Sequence, residues 1–182
     1  MEKERRWLIV THGCNLDGRA YSQHIDDRLP CLKKEGITPV VLSGPTGPPR
    51  TDVIHVQVHS PAPSGIRFEL GKTIKSKTGG RPLLRLAGTL LRTLALPFYL
   101  VEKAFIDVES QWSWFLPAAV RGYFLCGKYD PEIIYSTGGP FSAHVAACLI
   151  AAMRRKIWIA ELQDPLVHGD WQRSGRALRI HS

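Results

Sequence analysis

Thr137-Gly138-Gly139-Pro140 stands between a short apolar run, residues 133–137, and a long apolar stretch that begins at Phe141. Glycines at such a junction leave room for a ligand to reach backbone N–H groups. The start of a helix adds partial positive charge, suited to phosphate or carboxylate. Ser142 and His144 fall in the first turns of that helix, where their side chains could add hydrogen bonds. A tight strand-to-helix turn with a capping serine has the same composition. A second group, His12-Gly13-Cys14-Asn15-Leu16-Asp17-Gly18-Arg19, follows the apolar run 7–11. Gly13, Asn15 and Arg19 suit a polar ligand, Arg19 by pairing with phosphate; a flexible loop with an ordinary helix cap reads equally well. Asp164 precedes Pro165 after a third apolar run, 156–162. A carboxylate there can take protons from sugar hydroxyls or act as a base, or it can bond its own backbone in a turn. Glu161, a charge inside that run, is expected to be paired or to face a cleft. The Gly-x-Gly-x-x-Gly dinucleotide pattern is absent, and Gly71-Lys72-Thr73 has Ile66 where the phosphate loop Gly-x-x-x-x-Gly-Lys-Ser/Thr needs its first glycine, which argues against a dehydrogenase and a P-loop NTPase.

Other reactive residues carry less. Cys14, Cys31, Cys126 and Cys148 lack metal-ligand spacing. Cys31 and Cys148 lie among apolar helical residues and read as buried small hydrophobes. Cys14 lies in a loop without a neighbouring base to activate it. His55 and His59, on one face of a short strand, would be about 13 Å apart, too far to share a metal ion. A solvated face is expected there, and no metal site is expected.

These residues need a framework. Residues 7–11, 39–43, 53–58, 133–137 and 156–162 read as strands. Residues 20–35 read as a helix ending at Gly36, with Pro30 either kinking it or marking its start. Residues 60–80 have the composition of a mobile connection. Leu83–Phe105 is rich in leucine with Arg85 and Arg92 interspersed and a break at Pro97. It reads as a core or packing helix, or as a helix lying on a membrane surface. Trp112 and Trp114 read as packing anchors. Residues 140–153 form a helix apolar almost all round, with Phe141, Val145, Cys148, Leu149 and Ala152 along one side. The basic tail, 171–182, starts another helix. Alternating strands and helices give an α/β class, Rossmann-like, with a mainly parallel sheet flanked by helices. At 182 residues one domain is expected, with a helical apolar and basic insertion around 81–127.

The net charge of +8 favours anionic partners. The basic residues are scattered and no RNA-binding aromatic motif is present, so nucleic acid is the least favoured of them. The N-terminus lacks a secretion-signal core, and a cytoplasmic location is the default, peripheral to the membrane's inner face if the leucine-rich segment docks there.

Two motifs carry a resemblance. Ile-Ile-Tyr-Ser-Thr-Gly-Gly-Pro-Phe-Ser-Ala-His, residues 133–144, is followed by a helix and then by Trp-Ile-Ala-Glu-Leu-Gln-Asp-Pro, residues 158–165. Together they resemble the N-terminal domain of family 4-like glycosyltransferases. The stretch 112–118 and the entry 7–18 also look similar, more loosely. The resemblance implies the N-terminal half of a GT-B fold, in which two Rossmann-like domains face each other across a cleft. The N-terminal domain mainly binds the acceptor, saccharide or lipid-linked. The C-terminal one mainly binds a nucleotide-sugar donor. Transfer retains the anomeric configuration and typically needs neither metal nor a bound cofactor. By position, Gly13, Gly138, Gly139 and Asp164 would line the cleft, with Asp164 nearest to a catalytic role. Where the family commonly has Phe-Arg-Asp-Pro-Trp, this chain has Leu162, Gln163 and Leu166 around Asp164-Pro165, so acceptor contacts would differ. A complete enzyme of this kind, with two domains of ordinary size, is about twice as long. The donor-binding domain is expected to be absent from this chain and the chain alone inactive. The alternative is a non-catalytic interaction module, or one subunit of a split transferase.

Overall fold

A computed structural model describes residues 4–16, 20–77, 82–106 and 109–163. Five strands, β1 (Arg5–Val10), β2 (Ile37–Ser43), β3 (Ile54–Gln57), β4 (Ile133–Thr137) and β5 (Ile157–Glu161), form one sheet in the order β3-β2-β1-β4-β5. Every pairing is parallel. β1 lies at the centre because Leu8, Ile9 and Val10 are apolar towards both faces, as a strand covered on both sides requires. The α/β, Rossmann-like architecture read from the alternation of strands and helices is the one observed.

One face of the sheet is covered by α1 (Ala20–Lys34), whose Ile25, Leu29 and Leu32 pack on Ile9, Val41 and Tyr135. Pro30 lies inside α1, so it does not mark the helix start. The other face is covered by α5 (Phe115–Tyr129) and α6 (Phe141–Arg154), which pack on Leu8, Val10, Val40, Leu42 and Ile134. α6 buries Ser142, Ala143, His144, Ala146, Ala147, Ile150 and Ala151. The side carrying Phe141, Val145, Cys148, Leu149 and Ala152 is its outward one, opposite to a core-facing stripe. The small residues turn inward because α5 lies so close. A Cβ at Gly122 of α5 would stand 2.2 Å from Ile150 Cδ1. Gly122→Ala is therefore expected to cost about 1–3 kcal/mol by overpacking, read as a lower urea midpoint at unchanged slope.

Residues 60–80, expected to be a connection, instead hold α2 (Pro63–Lys77). Its sequence has little apolar periodicity. The helix is held by polar contacts across the fold: Ser64 donates its N–H (2.8 Å) and its hydroxyl (2.5 Å) to Glu102, and buried Glu69 faces back to Ser60. The leucine-rich segment is two helices, α3 (Pro82–Leu94) and α4 (Leu96–Phe105), joined at Ala95 with Pro97 in the first turn of α4. They pack on α2. Leu86, Leu90, Leu91 and Leu94 of α3 and Phe98, Leu100, Val101 and Phe105 of α4 are exposed, so their stripe is not core. A 3₁₀ turn, Trp112–Trp114, leads into α5. Trp114 is fully buried and Trp112 bonds Glu102 at 2.6 Å, both as packing anchors.

Cys31 and Cys148 are exposed, and the buried cysteines are Cys14 and Cys126. The helical apolar neighbours of Cys31 and Cys148 had suggested the opposite, but both thiols sit on outward faces. Burial pushes the Cys14 thiol up to about 12, with Asp26 adding to it. A buried, protonated thiol is a poor nucleophile.

Candidate functional site

The chain runs from β1 to β2 to β3 in one direction, then crosses back to β4 on the other side of β1. The strand order thus reverses between β1 and β4. Just beyond the carboxyl ends of strands at such a point is where open α/β sheets bind ligands.

After β4 the turn is built by Gly138, whose φ of +117° only glycine adopts without strain. A Cβ there would also stand 3.3 Å from Thr11 Oγ1 at the end of β1. Gly139 is exposed, with no atom within 4 Å of where its Cβ would be. Pro140 is the N-cap residue of α6 and offers no side-chain cap. The helix's first donors are nonetheless taken. Ser142 N–H donates to Glu109 Oε1 at 3.3 Å, Phe141 N–H also bonds the Glu109 carboxylate, and Ala143 N–H bonds Pro140 O at 3.2 Å. Burial pushes the Glu109 carboxyl above its usual range, opposed by those two backbone bonds and by Lys103.

His144 has both ring nitrogens engaged. Trp158 Nε1–H donates to Ser136 Oγ (2.8 Å), Ser136 Oγ–H to His144 Nδ1 (2.9 Å), and His144 Nε2–H to Gly138 O (3.3 Å). Each donor finds an acceptor in only one arrangement, which fixes the Nε2–H tautomer. Burial holds the ring below its usual pKa, against the Gly138 bond. His144 therefore fastens the Gly138 turn to β4 and β5. A His144→Phe variant is expected to lose about 1–3 kcal/mol, because Ser136 Oγ and Gly138 O lose their buried partner. Thermal unfolding measures that loss.

On the β1 side, Thr11 Oγ1 donates to Gly13 O at 3.1 Å. Asn15 adopts φ +53°; its N–H bonds both oxygens of Asp26, and Nδ2 donates to Pro48 O at 2.9 Å. Asp26 also receives Arg50 at 2.8 Å. Gly47 lies so near that its Cβ would fall 2.0 Å from Asn15 O. Asn15 thus ties this loop to residues 44–50, and its side chain holds the loop's shape. Arg19 and Asp164 lie outside the described residues, as does the tail 171–182.

His12 opens the loop after β1 and carries no local sequence signal of a role. It is fully buried between Trp114, edge-on at 5.3 Å, and Phe68 at 5.8 Å. Its Nε2 lies 3.6 Å from Glu69 Oε1, beyond hydrogen-bond range, and neither nitrogen has a hydrogen-bond partner. Glu69 is taken by Ser60 N–H at 2.9 Å and by His59 Nδ1 at 3.0 Å. Ser142 Oγ is likewise buried without a partner. Among the described residues, His12 and Ser142 hold every buried side-chain polar atom without a hydrogen bond; the His12 ring lies beside Gly44 after β2 and near Glu69 of α2, and Ser142 is in the first turn of α6.

At the end of β5, Glu161 receives both terminal nitrogens of Arg28 at 2.7 Å, Thr137 Oγ1 at 2.7 Å and the Tyr135 hydroxyl. Burial opposes its charge, but the bonds from Thr137 and Arg28 win and hold its pKa below the usual value. Gln163 Nε2 then donates to Thr137 Oγ1 at 3.3 Å, fixing the chain immediately before Asp164. Glu161 is thus paired and sits at the candidate edge.

His55 departs from the solvated face expected for it. It is half-buried, takes Arg50 N–H on Nδ1 at 2.8 Å and bonds Ser43 Oγ through Nε2 at 2.8 Å. His59 is exposed as expected. Among the described residues no group of three His, Cys, Asp or Glu side chains could hold a metal ion, and no helix is long and apolar enough to cross a membrane.

Glu109, Arg28 and Glu69 escaped sequence reasoning because each acts across the fold. Glu109 meets a turn 33 residues away, and Arg28 a carboxylate 133 residues away. The fold and this edge define a class: a Rossmann-like α/β domain whose strand order reverses between β1 and β4. Compared with known proteins, the chain matches no family model, and no curated protein or solved structure is significantly similar to it.

Proposed function

We propose that residues 1–182 are the acceptor-binding side of a retaining glycosyltransferase, the N-terminal half of a GT-B fold. The observation that supports the reading is the strand-order reversal between β1 and β4, where the Gly138–Gly139 turn at the end of β4 meets Thr11 at the end of β1. Gly139 leaves the turn open to a ligand, Gly138 and Thr11 meet beneath it, and Asp164, the candidate base, follows Gln163 in sequence. The nucleotide-sugar donor would sit mainly on a second, facing domain, so catalysis by these residues alone is not expected.

The exposed stripe of α3 and α4 extends the reading to a membrane-borne acceptor. Phe98 and Phe105 are 68% and 83% exposed, and Arg92 of α3 is also exposed, on a chain of net charge +8. An apolar face flanked by basic residues suits an anionic lipid surface. Replacing Arg85 and Arg92 by glutamate is expected to weaken co-sedimentation with phosphatidylglycerol vesicles roughly thirtyfold, at about 1 kcal/mol per basic residue. A wild-type chain that leaves such vesicles in the supernatant would remove the membrane part.

The acceptor reading is tested by titrating the labelled chain with methyl hexosides and following backbone amides. Shifts at Gly13, Gly138 and Gly139 support it; shifts elsewhere, or none, count against it. A docking module is favoured by one observation, the apolar edge strand β5, whose Ile157, Trp158 and Ile159 are exposed. A stable complex captured through Ile157 and Ile159, with no saccharide binding, would favour that second reading.

A further inference from the structure

Helix α6 has no local cap. Its N-cap residue is proline, and a serine or aspartate there would have satisfied the free donors from one residue away. The capping group instead arrives from Glu109, 33 residues earlier, and occupies the N–H groups of Phe141 and Ser142. These donors, together with the helix dipole, are what a ligand's phosphate would otherwise engage at such a turn. Beside them Ser142 Oγ is buried and unbonded, although it belongs to the residue whose N–H holds Glu109. The turn therefore has its anion built in and still lacks a partner for one hydroxyl. A carboxylate there repels a phosphate or carboxylate ligand and accepts hydrogen bonds from neutral hydroxyls.

We propose that Glu109 is a specificity-determining residue: it fills the anion position at the start of α6, so that this turn reads a neutral, hydroxyl-bearing ring of the acceptor and excludes phosphate. The inference rests on the acceptor reading for the ligand class, but not for the filled anion position. Any phosphate of a lipid-linked acceptor is then held elsewhere, and the saccharide lies against Gly138, Gly139 and Ser142.

The test follows the Phe141 and Ser142 amides in the labelled chain, with inorganic phosphate and with a methyl hexoside as separate probes. In the wild type, millimolar phosphate is expected to leave both amides unmoved. In Glu109→Ala the emptied position binds phosphate at least tenfold more tightly, and both amides shift. Saccharide binding weakens in the same variant. If Glu109→Ala fails to fold, Glu109→Gln, which keeps the shape and loses the charge, is expected to move in the same direction. Phosphate that shifts these amides equally in wild type and variant, or in neither, overturns the filled anion position. Saccharide binding absent from both proteins, with the phosphate response as expected, overturns the acceptor reading and the ligand class while the anion position stands.

Discussion

Trp114→Ala is expected to lower the unfolding free energy by about 4 kcal/mol, the scale for truncating a buried tryptophan. Trp114 is fully buried in the cluster under β1, β2 and β4 with Leu8, Val10, Leu42 and Ile134. Its indole N–H donates to Val58 O at 3.0 Å, tying the chain after β3 to the start of α5. Its ring also forms one wall of His12. Alanine leaves a cavity, strands the Val58 carbonyl and frees the His12 ring. Against a total stability of roughly 5–15 kcal/mol for a domain, that loss leaves little margin, and a fall in urea midpoint at constant slope measures it. Trp114→Phe restores most of the volume without the N–H, so about 1–2 kcal/mol of loss is expected to remain from the stranded carbonyl. A loss under 1 kcal/mol in the alanine variant would mean that the ring is not the anchor of this core.

Glu161→Gln is expected to cost about 2 kcal/mol at neutral pH and to alter the acid limb of stability. The carboxylate gathers Arg28, Thr137 and Tyr135, and charged hydrogen bonds of this kind contribute roughly 1.5–3 kcal/mol. Breaking a fully buried pair would cost more, but the Arg28 and Glu161 side chains are 38% and 28% exposed, and solvent screens part of the attraction. The folded-state pKa of Glu161 lies below its ordinary value of 4.5. Its contribution is therefore fully present above that value and is lost as pH falls through the folded pKa. Stability of the wild type and the variant, measured from neutral pH downward, should converge in acid. Curves that stay parallel would show that the charge on Glu161 is not what holds the end of β5.

The strands and α6 were legible because a parallel, doubly covered sheet writes itself as short apolar runs separated by glycine and proline. The turn at Gly138 was legible for the same reason. α2 was not, since polar bonds from Glu69 and Glu102 hold it and these leave no periodic trace. The leucine-rich segment announced helices but not which way they face: apolar periodicity looks alike on a core and on a surface awaiting a lipid or a partner. His144 had the right place and another job, because whether a first-turn histidine faces the ligand or the core depends on Ser136 and Trp158, which come from other strands. Glu109, the group that fills the α6 donors, lies beyond any local motif.

The most direct test of the central claim is an amide-resolved titration of the labelled chain with methyl hexosides. If the β1/β4 edge is an acceptor site, shifts concentrate at Gly13, Gly138, Gly139 and Ser142, and they vanish in Gly138→Val, whose side chain would press on Thr11. No shift at any saccharide concentration, or shifts unaffected by Gly138→Val, would contradict the assignment of this edge as the place where a sugar acceptor is held.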